Sequence, residues 1–132
     1  MVDTLALPSE LRRRIISHCL EGLPNEACGL IASDGEGRVV AVYPTANADP
    51  SPVTYTVPPA EHYAALTDAD AQGWELSGVF HSHPNGPARP SVIDLASALD
   101  PSWIYLVVDL RDQPSIRAWR IRRGEATEVT LG

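Results

Sequence analysis

Apolar residues near the start of the chain recur every three to four positions and then give way to unbroken runs. That change of period predicts a helix followed by buried strands. Leu11, Ile15 and Cys19, with Ile16 and Leu20, share helical spacing behind Pro8-Ser9-Glu10, and Gly22 and Pro24 end the segment. Residues 27–32 and 38–43 are apolar runs parted by Ser33-Asp34-Gly35-Glu36-Gly37, a turn-forming stretch, so they predict a hairpin. The stretch 45–52, rich in Asn, Asp, Ser and Pro, reads as a loop, and 53–57 reads as a third short strand halted by Pro58-Pro59. Alanines with Tyr63 and Leu66 give a helical pattern over 60–71, with Pro59 suited to its first turn. Residues 76–83 predict a strand, and 91–99 a third helix stopped by Asp100-Pro101. Residues 103–108 form a continuous apolar strand, 116–121 alternate and 126–131 make a last short strand. Arg111-Asp112-Gln113-Pro114 and Arg122-Arg123-Gly124-Glu125 supply the turns between them. The order α-β-β-β-α-β-α-β-β-β defines an α+β fold, a mixed sheet with helices packed on it.

Composition narrows the classes that this pattern leaves. At 132 residues, 44% hydrophobic and 20% charged, the chain fits one soluble domain over 1–132 with a real core. A net charge of −7 disfavours a nucleic-acid binder, whose phosphate contacts need clustered Lys and Arg. The basic residues gather in Arg12-Arg13-Arg14 and in Arg117, Arg120, Arg122 and Arg123, read as solvated faces or as a docking patch for an acidic partner. No segment is long and apolar enough to span a bilayer, and Met1-Val2-Asp3-Thr4 opens without a basic export region, so no membrane partner and a cytoplasmic location are the expectation. Cys19 and Cys28 are too few for a disulfide framework and lack structural-zinc spacing, so reduced thiols are expected, with Cys19 packed inward. His18 and His62 fall on the predicted helices and read as surface residues, while Tyr63, Trp74 and Phe80 read as core or contact residues.

The candidate chemistry lies in His81-Ser82-His83-Pro84 and Ser91-Val92-Ile93-Asp94. Alternate strand residues point the same way, so His81 and His83 can aim both rings at one point. Two nitrogens and one oxygen suit zinc, and three protein ligands leave the fourth position open, as catalytic sites require. Asp94 has a second reading, because Ser91 with an acidic residue three positions later approximates a capping box, and both roles can coexist. Ser91 could also donate a hydrogen bond to an oxyanion. A water activated by a metal needs a base, for which Glu26 is the candidate; the plain alternative is a solvated glutamate at a strand edge. A cysteine peptidase built on Cys28 is a further alternative, though a thiol in an apolar strand is more often core.

Taken together, Asn25-Glu26-Ala27-Cys28-Gly29, His81-Ser82-His83-Pro84 and Pro90-Ser91 with Asp94 resemble the JAMM, or MPN+, metalloprotease family. The resemblance covers nearly the whole chain and implies a cytidine-deaminase-like fold, Zn2+ held by His81, His83 and Asp94, and catalytic roles for Glu26 as proton shuttle and Ser91 as oxyanion donor. It further implies hydrolysis of an amide or isopeptide bond after the C-terminal glycine of a ubiquitin-like protein, whose extended tail lies along a strand edge. The loops 45–52 and 85–89 are expected to shape that groove. Asn47-Ala48, Ser51-Pro52 and Tyr55 resemble a loop of the small bacterial hydrolases that act on ubiquitin-like sulfur carriers with a Gly-Gly C-terminus, some of which release cysteine. The short turn 111–115 leaves no room for the insertion that eukaryotic deubiquitinases use to hold a second ubiquitin. The same family includes non-catalytic MPN interaction scaffolds and phage-tail peptidases of peptidoglycan stems, which are the alternative functions.

Overall fold

The computed structural model describes residues 4–132. Seven strands form one sheet in the order β1-β7-β6-β5-β4-β2-β3. They are β1 (Thr4–Leu5), β2 (Cys28–Ser33), β3 (Val39–Thr45), β4 (Glu75–His83), β5 (Ile104–Asp109), β6 (Ser115–Arg122) and β7 (Glu125–Leu131), and the helices are α1 (Ser9–Glu21), α2 (Pro59–Gln72) and α3 (Val92–Ser97). The β4–β5 and β1–β7 pairs are parallel and the rest antiparallel, so the sheet is mixed as the pattern predicts.

Both faces of the sheet are covered, which explains the unbroken apolar run of β5. Leu106 and Val108 pack with Ile15 and Cys19 of α1 on one face, while Tyr105 and Val107 pack with Ala65 of α2 and Leu95 of α3 on the other. In α2 the buried positions are Ala65 and Ala69, small residues that let the helix lie close to the sheet, and Gly73 closes it in a left-handed conformation at φ 77°. The β2–β3 hairpin turns where predicted, with Asp34 Oδ1 accepting from the N–H groups of Glu36 at 2.8 Å and Arg38 at 3.1 Å. Gly29 is required by packing, because a Cβ there would run into the Phe80 ring and the Tyr43 carbonyl.

The structure corrects three sequence readings. Residues 53–57 are not a strand: Thr56 N–H donates to the Asn47 side chain and Val53 N–H to Ser51 Oγ, so side chains within the loop replace a ladder. Conversely, Thr4–Leu5 pairs with Thr130 and Leu131, so the order is β-α-β-β-α-β-α-β-β-β. His18 is half-buried rather than on the surface, its Nε2 lying 3.0 Å from each of the Cys28 and Thr45 carbonyls. Both partners accept, so Nε2 donates and fastens α1 to the β2–β3 pair. His62 is also half-buried, against Trp103. Phe80 is fully buried core, whereas Tyr63 is 71% exposed.

Candidate metal centre

Strand period and the two-sided sheet decide where the histidines point. Val79, His81 and His83 alternate with Phe80 and Ser82, and Val79 packs on the α2–α3 side, so both imidazoles emerge there. Asp94 reaches the same place from the first turn of α3, where a reciprocal capping box holds it: Ser91 Oγ accepts from Asp94 N–H at 3.1 Å, and Asp94 Oδ2 accepts from Ser91 N–H at 2.8 Å. The two readings of Asp94 therefore coexist in one carboxylate. Glu26 arrives through sheet register. Cys28 lies opposite His81, Ala27 N–H donates to Ser82 Oγ and Ser82 N–H to the Ala27 carbonyl, and continuing that antiparallel course puts Glu26 beside His83.

His81 Nε2, His83 Nε2 and Asp94 Oδ2 stand 3.0 Å from one another. Glu26 Oε2 lies 3.9 Å from His83 Nε2. All four residues are between 1% and 7% exposed. His83 Nδ1 donates to the Pro87 carbonyl at 2.7 Å, which leaves the Nε2 of a neutral ring as a lone pair. That lone pair faces both an imidazole nitrogen and a carboxylate oxygen, an arrangement that a cation at their centre satisfies. Zinc ligands at about 2.0 Å in a tetrahedron would be about 3.3 Å apart, close to the triangle observed. The residues present thus fit a metal ion. The atoms of Glu26, His81 and His83 also lie within 4.8 Å of one another, but Asp94 Oδ2 is closer to both rings than Glu26 is.

The charges respond to this crowding. Burial pushes Asp94 up, but the two imidazoles and the Ser91 N–H outweigh it and hold the carboxyl well below the usual range. Burial also depresses His81; at His83, Asp94 and the Pro87 carbonyl overcome burial and raise the ring. Glu26 is pushed up to about 7 by burial first, with His83 opposing and Asp94 adding to the rise. Its Oε1 has no hydrogen-bond partner, nor does His81 Nδ1.

Tyr55 stacks on His81 with ring centroids 4.4 Å apart, a contact hidden by reading 53–57 as a strand. Trp119 Nε1 donates to the Ala88 carbonyl and steadies the loop that supplies Pro87, through backbone groups that carry no sequence signal. Cys28 is buried, and burial raises its thiol pKa, contrary to what a nucleophile needs. A cavity of about 410 Å³ bordered by Glu75, Ser77 and Trp103 lies at the opposite end of β4 and includes none of the four site residues. Of the arginine cluster near the C-terminus, Arg117 pairs with Glu128 and stacks on Trp119, and Arg120 donates to the Ser102 carbonyl.

A mixed sheet carrying a buried His-His-Asp triangle with a glutamate beside it defines a metallohydrolase type of domain. Residues 8–122 match the family described as prokaryotic homologs of the JAB domain. The chain is 32% identical to the desampylase of Haloferax volcanii over 121 residues, covering 87% of each protein. It is 33% identical to the CysO-cysteine peptidase of Mycobacterium tuberculosis over 134 residues, covering 96% of this chain and 89% of the relative. A solution structure from Desulfitobacterium hafniense, 37% identical, superposes with a TM-score of 0.88 over 96% of this chain and 90% of its own. The chain belongs to the family of prokaryotic homologs of the JAB domain.

Proposed function

We propose that residues 1–132 act as one zinc-dependent hydrolase that cuts the amide or isopeptide bond after the C-terminal glycine of a ubiquitin-like carrier protein. The observation that carries this reading is the 3.0 Å triangle of His81, His83 and Asp94 with the Glu26 carboxylate 3.9 Å from His83. The relatives named desampylase and CysO-cysteine peptidase support the substrate class. Two free, buried cysteines suit a reducing compartment, in keeping with a cytoplasmic setting.

His81, His83 and Asp94 would hold the ion. When bound, zinc supplies a Lewis acid that polarises the scissile carbonyl and makes a water more acidic. Glu26 Oε2 accepts the water proton and returns it to the departing amine. Ser91 Oγ already accepts from Asp94 N–H, so its own hydrogen is left to donate to the developing oxyanion. The buried ring of His81 and the half-buried ring of Tyr55 stack beside the cluster and shield it on that side.

A carrier ending in Gly-Gly, joined through that glycine to a fluorogenic amine, tests the reading. Cleavage should stop with a strong chelator, return with zinc, survive iodoacetamide and fall to a small residual rate in Glu26→Gln. Cleavage that persists in chelator but dies with iodoacetamide would overturn it in favour of a cysteine mechanism. Bound zinc without cleavage of any carrier conjugate would instead indicate an interaction scaffold.

A further inference from the structure

Glu26 raises a problem of aim. It is buried, it precedes β2 and so lies outside the named strands, and its side chain lacks a hydrogen bond: Oε1 has no partner and Oε2 comes no nearer than 3.9 Å to His83. A carboxylate that must meet a water and then an amine has no side-chain hydrogen bond to place it here. The point from which it reaches the site is set by its main chain.

Both main-chain groups of Glu26 are held by the loop between β3 and α2. Glu26 N–H donates to the Ser51 carbonyl at 2.7 Å, and the Glu26 carbonyl accepts from Asn47 Nδ2 at 3.0 Å. Asn47 uses every bond its amide can make. Nδ2 also donates to the Thr54 carbonyl at 3.2 Å, and Oδ1 accepts from the N–H groups of Asp49 at 3.0 Å and Thr56 at 2.9 Å. One side chain therefore ties both limbs of the loop to each other and to Glu26. The same loop carries Tyr55, whose ring lies against His81.

We propose that Asn47 is a positioning residue that acts through Glu26, fixing the main chain from which the proton-shuttling carboxylate is aimed. This rests on the role proposed for Glu26. Without Asn47 the Glu26 carbonyl loses its partner, and the segment keeps only the Glu26 N–H bond to Ser51 and the bonds of Ala27 with Ser82. A misplacement of about 1 Å at a reacting group costs on the order of 100-fold in rate.

The test is a double-mutant cycle on a fluorogenic Gly-Gly carrier amide, with Asn47→Ala and Asn47→Asp each made alone and in Glu26→Gln. Asn47→Asp keeps the two acceptor bonds to Asp49 and Thr56 that shape the loop and loses the donors to Glu26 and Thr54, so it guards against an alanine variant that fails to fold. Both single variants should lower kcat roughly 10- to 100-fold, leave KM within about threefold and still bind one zinc. In the Glu26→Gln background neither should slow the residual reaction further, because two changes acting through one group are not additive. Additive losses, a change confined to KM, or wild-type kcat in Asn47→Asp would overturn the proposal. Wild-type cleavage by Glu26→Gln alone would instead overturn the role of Glu26 itself, a separate failure.

Discussion

Asp94 and Ser91 share one capping box and one site, so substitutions at position 91 should separate folding from chemistry. Ser91→Ala removes the cap on Asp94 N–H and the proposed oxyanion donor together. It should cost about 1 kcal/mol of stability by urea unfolding and slow carrier cleavage roughly 100-fold. Ser91→Thr restores a capping hydroxyl and should recover most of both; stability regained without rate would remove Ser91 from the chemistry. The thiol of Cys19 tests burial on the opposite face of the sheet. Burial pushes Cys19 up to about 12. A raised thiol pKa means less thiolate at any given pH, so alkylation of the folded protein by iodoacetamide should stay negligible from about pH 7 to 9 and become fast once the chain unfolds. Fast labelling of the folded protein, followed by mass spectrometry, would show that the thiol is not shielded. At this scale the histidines were legible because residues two apart on a strand share a face, and Asp94 because its capping pattern fixes it in a first turn. Glu26 carries no such local signal. Its place beside His83 arises from the β2–β4 register, which joins segments more than fifty residues apart.

Between elements, His18 is a polar link from α1 to the sheet, and its two carbonyl partners belong to a paired position, Cys28 opposite Thr45. Replacing it with alanine leaves those carbonyls without the ring donor and should destabilise the fold by about 1–3 kcal/mol. Chemical denaturation measures this, and zinc content should not change, since α1 lies on the face away from the site. An unchanged midpoint would mean that the ring is not a fastening. The helical period of α1 was plain in the sequence, but a histidine beside an apolar stripe looks like the edge of a solvated face; only the neighbouring strands reveal acceptors. The stretch 53–57 misled for the converse reason. Val53, Tyr55 and Val57 alternate as a strand would, yet Asn47 and Ser51 satisfy the N–H groups of Thr56 and Val53 locally, and Tyr55 turns to His81. The pairing of Thr4–Leu5 with β7 is only two residues long, too short for a period to register.

Across the whole molecule the centre of the sheet is buried on both faces, with the candidate site at the C-terminal end of β4 and the proposed ligands drawn from that strand and from α3. The chain's net charge is −7, and Arg117 of the C-terminal arginine cluster is paired with Glu128. Among the described residues, no helix is long and apolar enough to cross a membrane. The proposed chemistry depends on a bound metal. Elemental analysis of protein loaded with zinc and then desalted should give one zinc per chain for the wild type and for Glu26→Gln, and none for His81→Ala or His83→Ala. A wild type that retains no zinc, or alanine variants that keep a full equivalent, would contradict it.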